Sequence, residues 1–108
     1  MLRHHALSRD LAALAVAVVD NKRPMLLVMR AMLAAIGAGR IDTYESPTEA
    51  IDAMASAIPD LIIAADALEP LSGQALIRTI RRERSGPLAL VPAMIMSVHR
   101  KLGHPCWT

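Results

Sequence analysis

Two short runs, LAVAVVD at 14–20 and LIIAAD at 61–66, are apolar almost throughout and close on an aspartate. Both are too short for a buried helix and rich in Val, Ile and Ala, so each reads as a strand covered on both faces. Between them the apolar spacing lengthens to three and four. Pro24 suits a first helical turn, and Met25, Val28, Met29, Met32, Leu33 and Ile36 repeat helically until Gly37 and Gly39 end the pattern. RIDTY, 40–44, alternates as a second strand. Ser46-Pro47-Thr48-Glu49 then opens a helix with Ala50, Ile51, Met54, Ala55 and Ile58 on one face, closed by Pro59.

After the second run, Ser72 or Gly73 opens a third helix. It turns Leu76, Ile77 and Ile80 inward and Arg78, Arg81, Arg82 and Arg84 outward, and Ser85-Gly86-Pro87 breaks it. A fourth strand falls within LALVPAMIMS, 88–97, and Pro92, which lacks an N–H for a central ladder, confines its core to Ala93–Ser97. Strands alternating with helices imply an α/β domain, a doubly wound parallel sheet with right-handed crossovers. Ligands meet such sheets at the carboxyl ends of the strands, where Asp20, the Ala65–Asp66 pair and Ser97 fall.

A chain of 108 residues supports one core. Residues 1–13 read as an N-terminal extension, 14–100 as the domain and 101–108 as an irregular tail holding Gly103 and Pro105. No apolar run approaches the roughly 18–20 residues of a membrane span, so a soluble protein is expected. LAALAVAVV, 11–19, has the look of a short signal sequence, but Asp10 interrupts its basic flank and a buried strand explains it better. A net charge of +2 and two aromatic residues argue against nucleic-acid binding. Cys106 is the only cysteine, which excludes an internal disulfide and suits a reducing cytoplasm.

In order and spacing, several pieces resemble the receiver domain of bacterial two-component response regulators over roughly residues 14–100. They are VVDN before a helix with Met25, Ala-Ile-Gly before the second strand, ESPTEAIDAM, PDLII, a Leu-x-x-Leu-x-Gly loop and VPAMIMS. The resemblance implies a flavodoxin-like sheet of order 2-1-3-4, with the family's fifth strand and last helix missing. It also implies phosphorelay chemistry. A histidine kinase phosphorylates an aspartate ending the third strand, Mg²⁺ on an acidic pair after the first strand neutralises the incoming charge, and a hydroxyl and a lysine relay the result.

Carried onto this chain, the acidic pair is Asp20 and Asn21, one charge short, and Ser97 is the switch hydroxyl. The lysine has no equivalent, since Lys101 lies too near Ser97. The acceptor has two registers. Without gaps from Pro59-Asp60 to Gly73, it falls on Ala65, with Leu68 and Leu71 at the family's two loop methionine positions; alanine cannot be phosphorylated. The rival register makes Asp66 the acceptor, with Pro70 four residues later. It needs an extra residue in the strand and turns Glu69 inward. Side chains alternate along a strand, so Asp66 would point away from the pocket unless a bulge restored it. The vacant Ala65 position is favoured.

The expectation is therefore a receiver-like signalling domain, not an enzyme, acting by protein contact. On the Ala65 register it needs no cofactor; on the Asp66 register, Asp20 and Asp66 would hold Mg²⁺. Expected partners are a histidine kinase or another receiver, or a second copy through the exposed edge of the fourth strand. An unrelated small α/β enzyme has no support, as there is no Gly-rich phosphate loop or nucleophile elbow. A nonfunctional truncated remnant is the third alternative. His99, His104 and Cys106 match no zinc spacing, and His4 and His5 fall in the extension. The methionines read as core filling and RTIRRER, 78–84, as a solvated helix face.

Overall fold

The computed structural model describes residues 11–83 and 86–97. The expectations for residues 1–10, Arg84, Ser85, His99, Lys101, His104 and Cys106 lie outside them. Four parallel strands run β1 (Ala15–Val19), β2 (Arg40–Tyr44), β3 (Leu61–Ala65) and β4 (Ala93–Met96). Their order in the sheet is β2-β1-β3-β4, the order the resemblance implied. Helix α1 (Arg23–Ala35) links β1 to β2, α2 (Pro47–Ser56) links β2 to β3, and α3 (Gly73–Glu83) links β3 towards β4. A 3₁₀ turn at Pro87–Leu90, which the sequence did not suggest, leads into β4.

Every residue of β1 is buried, which explains a run with no polar alternation. Its alternate residues serve two cores. Ala17 and Val19 join Ile62 and Ala64 of β3, Ala50, Ile51 and Met54 of α2, and Leu76 and Ile80 of α3. Val16 and Val18 join Ile63, Leu26 and Leu33 under α1. Two helices thus cover one face and a single helix the other. Asp60 fastens the entry to this layer: its carboxylate accepts the Ala15 N–H at 2.8 Å, and its own N–H reaches the Ala15 carbonyl at 2.7 Å.

The helix boundaries follow local chemistry. Pro24 occupies the first turn of α1, and the chain leaves the helix through Gly37, whose φ of 97° suits glycine. The Ser46 side chain accepts the Glu49 N–H and caps α2. Two details of the helical faces need correction. Leu26 and Leu33 carry the buried side of α1, while Val28, Met32 and Ile36, which share the three-and-four spacing, are 51%, 58% and 59% exposed. The apolar stripe of α1 is wider than the one sheet face it meets. Ile58 is also exposed, because α2 ends at Ser56.

The methionines divide accordingly. Met54 is fully buried and Met32 is not, so Met54→Ala should cost about 2–5 kcal/mol in chemical denaturation and Met32→Ala less than about 0.5 kcal/mol. Equal losses at the two positions would contradict this division of the core.

Candidate functional site at the carboxyl edge of the sheet

From β1 the chain departs to β2 on one side and returns to β3 on the other, so strand order reverses between β1 and β3. The crevice past their carboxyl ends is where doubly wound sheets place a site. What stands there is set by register. Val19 pairs with Ala64, so Asp20 and Ala65, the next residues along, lie level. Ala65 pairs with Met96, which puts Asp66 and Ser97 one step further out. β3 pairs without interruption, Leu61–Ala64 with β1 and Ile62–Ala65 with β4, and no extra residue intervenes.

Asp20 is buried, at 6% exposure. Its N–H extends the ladder to the Tyr44 carbonyl at 3.0 Å, and its carboxylate Oδ1 accepts the Lys22 N–H, also at 3.0 Å, closing a local turn. Asn21 is exposed, yet its side chain makes three hydrogen bonds to backbone. Nδ2 donates to the carbonyl oxygens of Glu45 at 2.7 Å and Glu69 at 3.1 Å, and Oδ1 accepts the Glu69 N–H at 2.8 Å. It thereby ties together the loops after β1, β2 and β3. The sequence gives no sign of this; there Asn21 reads only as an acid that has lost its charge.

Ala65 ends β3 half-buried, packed against the larger core cluster. Asp66 is partly exposed. Its N–H donates to the Met96 carbonyl at 2.8 Å, and its carbonyl accepts the Gly73 N–H at 3.0 Å, so the loop from 67 to 72 returns to the strand end. Gly73 lies so close that a Cβ there would stand 2.3 Å from the Ala65 carbonyl oxygen, which explains a glycine at the first residue of α3. Within the loop Leu68 is buried and Leu71 packs on the same cluster, while Glu69 is exposed. Ser97 is exposed past β4. Among the described residues no three His, Cys, Asp or Glu side chains gather as a metal site.

A second feature lies outside the crevice. Arg23, Leu26, Leu27, Arg30, Thr43, Glu45 and Glu49 line an open groove of about 330 Å³ between α1 and β2, spanned at one end by an Arg23–Glu45 ion pair at 3.0 Å. Glu45, whose carbonyl accepts from Asn21, is common to the groove and the crevice.

No family model matches the sequence, and no curated protein matches it. Solved structures do. The N-terminal domain of a response regulator receiver protein from Methanoculleus marisnigri JR1 superposes with a TM-score of 0.69 at 24% identity, over 76% of this chain and 64% of that one. A response regulator receiver protein from Pseudomonas putida gives 0.68 at 24% identity, over 83% and 73%. The chemotaxis response regulator CheY4 of Vibrio cholerae gives 0.68 at 19%, over 77% and 68%.

The chain has a receiver-like fold.

It spans about two thirds of the first of these receiver chains. None of its described helices is long and apolar enough to cross a membrane. Tyr44, whose carbonyl receives Asp20, has its phenol pushed above the ordinary 10.0, first by burial and then by Asp42. A phenol held neutral in the fold stabilises it fully below pH 10.0, and that contribution disappears as pH climbs through the raised value. Tyr44 is the only tyrosine, so an alkaline absorbance titration reads it alone. The native phenolate should form at higher pH than the urea-unfolded one, and Tyr44→Phe should flatten the fall in stability above pH 10; coincident titrations would refute the assignment.

Proposed function

We propose that this chain is a receiver-like signalling module of a two-component pathway that acts by protein contact and carries no phosphoryl group on β3. The observation that supports the reading most is the uninterrupted pairing of β3, which sets Ala65, with no oxygen to phosphorylate, level with the buried Asp20. The loop points the same way. Leu68 and Leu71 turn inward and Glu69 outward, the spacing of the ungapped register. Without a nucleophile at this position, a change of state comes only from a partner that binds one conformation better than another.

The Mg²⁺ of active receivers fits this edge poorly. A magnesium site needs near-octahedral oxygen ligands, usually one or two carboxylates and several waters. Here Asp20 supplies a single carboxylate, whose Oδ1 already accepts the Lys22 N–H, the Asn21 side chain is held on three backbone atoms, and Ala65 has no side-chain oxygen. Asp66 stands one residue beyond the level of Asp20. The partner we expect is a protein of the same pathway, a histidine kinase or another receiver. Support for a contact surface comes from β4, which pairs on one side only among the described residues and exposes Met94 and Ile95.

Incubation of the chain with acetyl phosphate and Mg²⁺ should leave its intact mass unchanged. A gain of one phosphoryl group that disappears in Asp66→Ala would overturn the contact reading and establish Asp66 as acceptor.

A further inference from the structure

A side-chain amide has two donor hydrogens and an acceptor oxygen with two lone pairs, and Asn21 commits both hydrogens and one lone pair to backbone. Its partners belong to two different loops, Glu45 after β2 and Glu69 after β3, while Asn21 itself follows β1. Two carbonyl oxygens converge on one nitrogen, at 2.7 and 3.1 Å. Each carbonyl takes one of the two amide hydrogens. The orientation of the amide follows from the same contacts, because the opposite rotamer would set its oxygen against both carbonyls and its NH₂ against the Glu69 N–H.

The β3–α3 loop is held from both sides. Leu68 and Leu71 enter the larger core cluster, and Glu69, between them, is taken by Asn21 through both its N–H and its carbonyl. The return of the loop is closed by Gly73 on the Asp66 carbonyl.

We infer that Asn21 is a metal-independent latch, which fixes the β3–α3 loop against the loops after β1 and β2 and takes for its own hydrogens the carbonyls a divalent cation would otherwise draw on. Its claim about cations rests on the contact reading above; its claim about the loop rests on the hydrogen bonds alone. The latch gives the edge one shape whatever happens chemically at β3, so a partner docking there meets a preformed surface.

Hydrogen exchange of the ¹⁵N-labelled full chain, followed by NMR, tests it. In Asn21→Ala the Glu69 amide should exchange on the order of tenfold faster, while the Asp66 amide, held by Met96 in the ladder, keeps its native rate. That internal reference separates loss of the latch from loss of the fold. Asn21→Asp, nearly the same shape, faces the carbonyls of Glu45 and Glu69 with a carboxylate oxygen; its loop should loosen without added ion and tighten again with millimolar MgCl₂, with a rise in Tm that the native chain does not show. An unchanged Glu69 rate in Asn21→Ala, or a Mg²⁺-dependent Tm in the native chain, overturns the latch. The phosphodonor experiment reads the function separately, and a mass gain there leaves the Glu69 exchange rate as the sole arbiter of the loop.

Discussion

The pairing of β3 with strands on both sides is the constraint from which the rest of this edge follows. Its residues meet β1 and β4 one for one, and a one-residue slip would exchange the Ile62/Ala64 side chains of the larger core with Ile63 of the smaller. Both sets of side chains are buried, so the register is locked by packing as well as by hydrogen bonds. Once it is locked, what can stand beside Asp20 is no longer free: it is Ala65, and Asp66 comes one step later. Gly73 reinforces the arrangement by lying directly on the Ala65 carbonyl.

The uneven cover of the sheet is the second organising feature. α2 and α3 together cover one face, whereas α1 alone serves the other and leaves apolar side chains exposed along its length. The apolar stripe of α1 is broader than the sheet face it covers. The carboxyl edge is organised differently. There the loops are held by polar contacts from Asp20 and Asn21 to backbone, the kind of support that fixes shape without needing depth.

Much of the fold was legible because strand residues buried on both faces read as apolar runs, as at 61–65, and because RIDTY alternates; 40–44 and 61–65 agree with the observed strands residue for residue. Pro92 correctly displaced the fourth strand to Ala93 onward. Helical faces were less legible, since periodicity identifies an apolar stripe without saying how much of it a partner layer covers; Val28, Met32 and Ile36 are the result. At the edge, β3 ends at Ala65 and Leu68 and Leu71 turn inward, in agreement with the ungapped register that the resemblance implied. The role of Asn21 was not legible, because its partners are backbone atoms 24 and 48 residues away that no side-chain pattern reports. Asp60, bonded to the start of β1, was hidden for the same reason.

The central claim is the register, and interstrand NMR contacts on a uniformly labelled chain measure it directly. The account predicts backbone contacts that pair Ala64 with Ile95 and Ala65 with Met96, with a hydrogen bond from the Asp66 amide to the Met96 carbonyl. A bulge in β3 that advances Asp66 to the level of Asp20 would contradict it, and would return to the crevice the carboxylate that this structure places one residue beyond.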